Sequence, residues 1–384
     1  MLAHAVVLAL AAAPAVPHTV GATRGGLPLV VVSAPESPWA ELRLHVALDA
    51  LELIPAERAR LGELARGLAA LTDLTPVGGV ARARVGADQL VVSLGAPAGQ
   101  LDALLRAGQE LLLRPRGVKP AARPVEQAHS SEPDLDARAL ALALQGSPLG
   151  LPVEGPPSAE GLGPLSARVL RRERVALALV GPLPEAELLE RSARALSAGL
   201  PPGPLAPAAL ALPVSGTRLA EAQDGDLAGA RSTLWFLGPG RGQAGAAPKD
   251  RAARAVLARL LGGRAESSAA AFAIAVDVQS ARAAGIARAE GKLLEAFEGV
   301  VRAPPPGDVV SAEAARERAA RLERLREVET LADALGRALL AGNAGLVDAE
   351  LQALQELGPD DITAAAKAAA TGPRLIWRVL GSGG

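Results

Sequence analysis

The 384-residue sequence contains no cysteine, which removes disulfides, thiolate metal sites and cysteine nucleophiles together while leaving every compartment open. Nor does it carry an excess of charge. Lysine plus arginine total 40 against 41 aspartate plus glutamate, a net charge of -1, so nothing electrostatic draws the chain to nucleic acid or to an anionic membrane. Lysine itself is scarce, with only Lys119, Lys249, Lys292 and Lys367. Such a skew reads as genomic base composition and lowers the meaning of arginine clusters. Arg171, Arg172 and Arg174 therefore read as a solvated face, not an anion site.

Histidine is sparse and scattered. His4, His18, His45 and His129 never stand three or four apart, so no pair can share one face of a helix. There is no G-x-S-x-G elbow and no Walker lysine in a glycine loop. His45 falls on an expected strand, as a structural imidazole, and His129, in EQAHSSEPD, has no catalytic partner that can be named. Beyond the amino terminus no segment approaches the ~20 uninterrupted apolar residues that would span a bilayer.

That terminus, MLAHAVVLALAAAPAVPHTV, has an apolar run of signal-peptide length followed by small residues, with APA at 13–15 as an A-x-A cleavage site. No lysine or arginine precedes Arg24, so the usual basic start is missing. Residues 1–15 are read as a signal peptide and the chain as exported, periplasmic or secreted; the alternative is a buried first strand in a cytoplasmic protein.

What the sequence does contain is a duplication. LGPLSARVLRRERVALALVGP at 162–182 runs helix, short connection, apolar strand and glycine, and LGPDDITAAAKAAATGPRLIWRVLG at 357–381 repeats that order. Upstream, DQLVVSLGAPAGQLDALLRAGQELLLRP (88–115) gives a strand, a turn and a helix, matched by AFAIAVDVQSARAAGIARAEGKLLEAFEGVVRAPP (271–305). Further up, two strands joined by a turn at 27–48 are matched at 217–240. The join is GLPPGPLAPAALALP, 199–213, whose prolines favour extended structure. The expected architecture is α+β: halves over 16–198 and 214–384, each a mainly antiparallel sheet covered by helices.

Two further stretches bear on function. Residues 311–341 read as one long helix with Leu322, Leu325, Val328, Leu331, Leu335 and Leu339 three or four apart, and with Glu317/Arg321 and Asp333/Arg337 as i,i+4 pairs on exposed faces. An amphipathic core helix accounts for this; a coiled-coil partner site is the alternative. GRGQAG at 240–245 is a literal G-x-G-x-x-G, but a dinucleotide site needs the helix to begin within the glycines. Pro248 and Asp250 mark the helix start instead, and the loop reads as a connection.

In order and type this pattern resembles the insulinase, pitrilysin and mitochondrial processing peptidase superfamily of zinc peptidases, over nearly the whole chain from Leu27. The pieces that carry the likeness are the opening hairpin GGLPLVVVSAPESPWAELRLHVAL, SPLGLPVEG (147–155) and LSARVLRRERVALALVGPLPEAELLERSARAL. In the second half they are RAVLARLLGG (254–263) and ETLADALGRALLAGN (329–343).

In active members of that superfamily the helix after the first hairpin carries H-x-x-E-H, two imidazoles binding zinc and a glutamate acting as general base. Here that helix is AERARLGELARGLAALTDL, 56–74. Matching Glu63 to the family glutamate puts Arg60 and Leu64 where the histidines would stand. Arginine does not give up its proton to become a ligand, and leucine has no donor atom. No histidine lies between His45 and His129, so a shifted alignment restores nothing. Glu126 and Glu132 fall where relatives place a later ligand, but carboxylates alone do not rebuild the site. Leu61, Leu64, Leu68 and Leu71 share one face, which keeps the helix as a packing element, with Glu63 and Arg60 as an exposed i,i+3 pair.

Some partner subunits of the superfamily hold substrate with an arginine and a tyrosine placed just after the LLGG helix. This sequence has no tyrosine, and only RAESSA separates Gly263 from the next strand. The resemblance therefore implies a protein that is no enzyme, with no metal and no cofactor. It would be the subunit that closes the peptide chamber of a zinc-bearing homologue, as a heterodimer or by self-association, because four like halves enclose a chamber and two leave an apolar surface open. The alternative is a structural or scaffold protein without peptide handling.

Overall fold

The computed structural model describes residues 16–48, 53, 55–86, 89–114, 117–119, 161–203, 216–224, 227–239, 247–267, 271–282 and 285–381. The expectations for residues 1–15, for Glu126, His129 and Glu132, for 147–155, for most of the proline-rich join and for the glycine loop at 240–245 lie outside the described residues.

In chain order the first part contains strands β1 (Thr19–Ala22), β2 (Pro28–Ser33) and β3 (Trp39–Ala47), then helices α1 (Pro55–Arg58) and α2 (Leu61–Ala69). Strands β4 (Val80–Val85) and β5 (Gln89–Pro97) lead into α3 (Leu101–Leu113), followed by α4 (Gly163–Val169), β6 (Val175–Gly181) and α5 (Glu185–Ala195). The second part begins with β7 (Thr217–Asp224), β8 (Ala230–Pro239), α6 (Pro248–Leu260), β9 (Arg264–Ser267), β10 (Ala271–Ser280) and α7 (Ile286–Arg302). It continues through α8 (Gly307–Arg324), α9 (Val328–Leu340), α10 (Leu346–Ala353), α11 (Pro359–Thr371) and β11 (Arg374–Gly381).

The first sheet is ordered β1-β2-β6-β3-β5-β4 and the second β7-β11-β8-β10-β9. With β1 set aside the two orders coincide place for place, which is the duplication expected from the sequence. In each sheet one pair is parallel, β2 with β6 and β7 with β11, and the other pairs are antiparallel. The order of the elements follows the repeats: α4 with β6 matches α11 with β11, and β5 with α3 matches β10 with α7. Among the described residues no helix is long and apolar enough to cross a membrane.

Strand β6, VALALVG, is buried at every position, the mark of a strand covered on both faces. On one face Leu177 and Leu179 join Leu42 and Leu44 of β3, against Leu61, Leu64 and Leu68 of α2 and Leu104 and Leu105 of α3. The register sets Leu42 opposite both Leu94 and Leu179, so the alternation of β3 fixes which side chains turn the other way. On the other face Val30, Val32, Ala176, Ala178 and Val180 pack with Leu331, Leu335 and Leu339 of α9 and Leu351 of α10. The first sheet is thus closed by helices from the second repeat.

That arrangement corrects two expectations. The helix expected over 311–341 is two helices. Helix α8 stays on the second part, with Val310 and Ala314 in its core and Arg259 of α6 paired to Glu313 and Glu317 at 3.2 and 3.5 Å. Helix α9 leaves to cover the first sheet, and Glu327 at the break is extended, with ψ of 124°. One straight helix cannot serve both cores. The helix expected over 56–74 is likewise interrupted, at residues 59 and 60, and ends at Ala69.

Glycine has a specific use in α9. A Cβ on Gly336 would lie 2.2 Å from Cδ2 and 2.3 Å from Nε2 of His45, so the bare backbone is what lets the helix settle against β3.

Candidate functional site

Helix α2 offers its inner face to the core. Leu61, Leu64 and Leu68 are fully buried, each a large apolar side chain whose burial contributes ~1.5–3 kcal/mol. Leu64, matched to a zinc-binding histidine, is therefore committed to packing. Arg60 stands at the amino-terminal end of the helix, and its Nε donates to Glu63 Oε2 at 3.2 Å. The pair is not exposed as expected: the two side chains retain only 14% and 12% of their accessible surface. The helix breaks at residues 59 and 60, so Arg60 stands at the start of α2 and not on an exposed mid-helix face.

Glu63 Oε1 is buried without a hydrogen-bond partner, the one orphaned atom here that could invite a cation. A lone carboxylate oxygen beside a guanidinium and a leucine does not supply the three nitrogen or oxygen ligands a catalytic zinc requires. Among the described residues no group of three or more His, Cys, Asp or Glu side chains is placed to hold a metal. The residues at 60, 63 and 64 do not fit zinc.

A dense polar cluster among the described residues lies elsewhere, where α9 meets β3. Arg43 donates through Nε to Glu41 at 3.0 Å, and lies 3.2 Å from Asp333 and 3.7 Å from Glu329. Asp333 also accepts from Arg84 of β4 and from Arg337 one turn along its own helix. The Asp333/Arg337 pair expected on an exposed face exists, but the Asp333 side chain is 13% exposed, because α9 turns it onto the sheet. Glu317 and Arg321 do pair, at 2.8 Å, and Arg321 reaches Glu350 of α10 at 2.9 Å. Those two side chains are likewise mostly covered, at 12% and 18%.

Environment sets the charge state of this cluster. Burial pushes the Glu41 carboxyl up to about 7, against the pull of Arg43. For Asp333 burial also acts upward, but Arg337 and Arg84 outweigh it and hold the carboxyl well below the usual carboxylate range. His45, fully buried on β3, is pushed down to about 4 by burial. Its Nδ1 lies 3.3 Å from Gln89 Oε1 and its Nε2 has no partner. An imidazole sealed beneath Gly336 reaches no solvent and no substrate. This is the structural histidine expected from its strand position.

An unfolded histidine titrates near ~6.5, above the folded value, so between about pH 6.5 and 4 the unfolded chain binds more protons and stability falls as pH falls. Glu41, raised in the fold, acts in the opposite direction, so the two are separated by difference. The stability of the wild type relative to His45→Leu should fall by about 2–3 kcal/mol between pH 7.5 and 4.5, measured by urea unfolding at each pH. An unchanged gap would mean that His45 is solvated.

Arg174 corrects the reading of a solvated arginine face. It is 5% exposed, because the turn that bears it leads directly into the central strand β6; Arg172 stays exposed and pairs with Glu173 at 3.2 Å. Helix α6 begins at Pro248 as expected. After it Gly262, at φ 72°, turns the chain straight into β9, which pairs with β10.

No protein-family model matches this chain, and no curated protein does. Solved structures match it in fold. A chain of complex III from Candida albicans with Inz-5 bound superposes with a TM-score of 0.78 at 13% identity, covering 94% of this chain and 95% of that one. The inactive domain of an M16 peptidase from Pseudomonas fluorescens gives 0.66 at 16% identity, covering 95% and 98%. A protease from Helicobacter pylori gives 0.65 at 13% identity, covering 95% and 99%. Identities this low establish a common fold and nothing finer.

Proposed function

We infer that this chain, which has the two-repeat fold seen in M16 peptidase structures, is a non-catalytic homologue that closes the peptide chamber of a zinc-bearing relative. The observation that carries the reading is Leu64: the position matched to a zinc ligand is a fully buried core residue, in a helix otherwise kept in place. One structure of the same fold is itself an inactive M16 domain, which supports the reading. The halves would span 16–198 and 214–384 with 199–213 between them, and the chain would be exported.

A second reading, a structural subunit without peptide handling, draws on a different observation. Gly263 is followed at once by β9, so the place where some partner subunits carry substrate-holding side chains is short, and the complex III chain superposes at 0.78. Co-expression separates the two. An obligate contact between such chains should bury more than ~2,000 Å² and be rich in apolar residues. The isolated chain should therefore self-associate or be poorly soluble, and a homologue bearing H-x-x-E-H should restore its solubility. Peptide cleavage by the pair should exceed that of the homologue alone. A monodisperse monomer that leaves the homologue's activity unchanged would favour the structural reading.

A further inference from the structure

Val16 is drawn onto the second repeat although it belongs to the head of the chain. It is 7% exposed and sits in the apolar cluster with Val30, Leu331, Leu335 and Leu351. Its backbone nitrogen donates to Asp348 Oδ1 at 3.0 Å, in the first turn of α10. His18 Nδ1 lies 2.8 Å from the Val16 carbonyl oxygen and 3.8 Å from Asp348 Oδ2. A carboxylate accepting from a backbone amide is already a charge-assisted contact; an α-ammonium at the same nitrogen would add a full opposite charge beside Asp348, whose side chain is 21% exposed. Val16 is also the residue that follows APA at 13–15.

We propose that the Ala15–Val16 bond is a processing site whose new α-ammonium pairs with Asp348, so that maturation fastens the lead into β1 onto α10 of the second repeat. The step is a hydrolysis carried out in trans by a leader-type peptidase. Water's hydroxyl goes to the Ala15 carbonyl carbon as the amide breaks, and its proton goes to the Val16 nitrogen, which takes a second proton from solvent at neutral pH. Asp348 is already in position, so the bond exchanges an amide donor for a charged one without moving the helix. The inference rests on the reading that the chain is exported and holds whether or not it closes a peptide chamber.

The test uses the full chain expressed with export. Intact mass should show loss of residues 1–15. The α-amine of the processed protein, followed by competitive acetylation across pH, should titrate about one unit higher than in Asp348→Asn, against an ordinary ~7.7–8.0. Asp348→Glu, which keeps the charge, should retain most of the shift and guards against a variant that merely folds poorly. Exported protein with any other terminus, or α-amines that titrate together in all three proteins, would overturn the proposal.

Discussion

Replacing Asp333 by alanine should cost about 3–5 kcal/mol of stability, the usual loss when one partner of a buried ion pair is removed. Three arginines converge on this carboxylate, and they are not equivalent. Arg84 and Arg337 keep 53% and 27% of their side-chain surface and can turn to water. Arg43, at 9%, cannot, and it is left with Glu329 at 3.7 Å, half exposed, and Glu41, which burial pushes up to about 7, so much of the compensating charge is weakened or missing at neutral pH. The cost therefore lies in stranding Arg43. Arg43→Leu together with Asp333→Ala should recover part of the loss, since an apolar replacement of a buried pair is often neutral. Because the Asp333 pKa is depressed in the fold, its contribution is present above the unfolded value near ~3.9 and fades as pH falls below it. Chemical unfolding at pH 7 measures the cost; a loss under ~1 kcal/mol would show that α9 is not anchored by this cluster.

Placing a histidine at position 64 should destabilise the protein and create no metal site. Leu64→His removes a fully buried leucine, a change that costs ~2–5 kcal/mol as a truncation. It also puts an imidazole among Leu61, Leu68 and the β3 leucines, where its nitrogens meet no partner, at ~1–3 kcal/mol more. The expected total, about 4 kcal/mol or above, should appear as a large fall in the urea midpoint with little change in slope. The double variant Arg60→His, Leu64→His should bind zinc no better than the wild type. A double variant within ~1 kcal/mol of wild type that takes up one zinc would mean that α2 faces an open cleft.

The repeats were legible because their evidence is local and doubled. Two copies of Leu-Gly-Pro followed by a helix and an apolar strand stand at the same place in each half, and the matching sheet orders follow from them. His45 was legible as structural because a strand between apolar neighbours predicts burial. The crossing of α9 onto the first sheet was not, since Arg43 and Asp333 are 290 positions apart (333 less 43) and nothing in either segment names the other. The break at 325–327, Leu-Arg-Glu, contains neither proline nor glycine; tertiary packing overrides a good helical sequence there. Arg60, Arg174 and Asp333 were placed in solvent by their chemistry and are covered by elements distant in sequence. The candidate site was legible in one sense: the residue types at 60 and 64 forbid ligation from sequence alone, and the structure adds that Leu64 is fully buried in the core.

The most direct test is elemental analysis of the purified chain, in the wild type and in Glu63→Gln. A non-catalytic homologue should carry no stoichiometric zinc after dialysis against a zinc-containing buffer, and Glu63→Gln should not change that content. Close to one zinc per chain in the wild type, lost on changing Glu63, would contradict it.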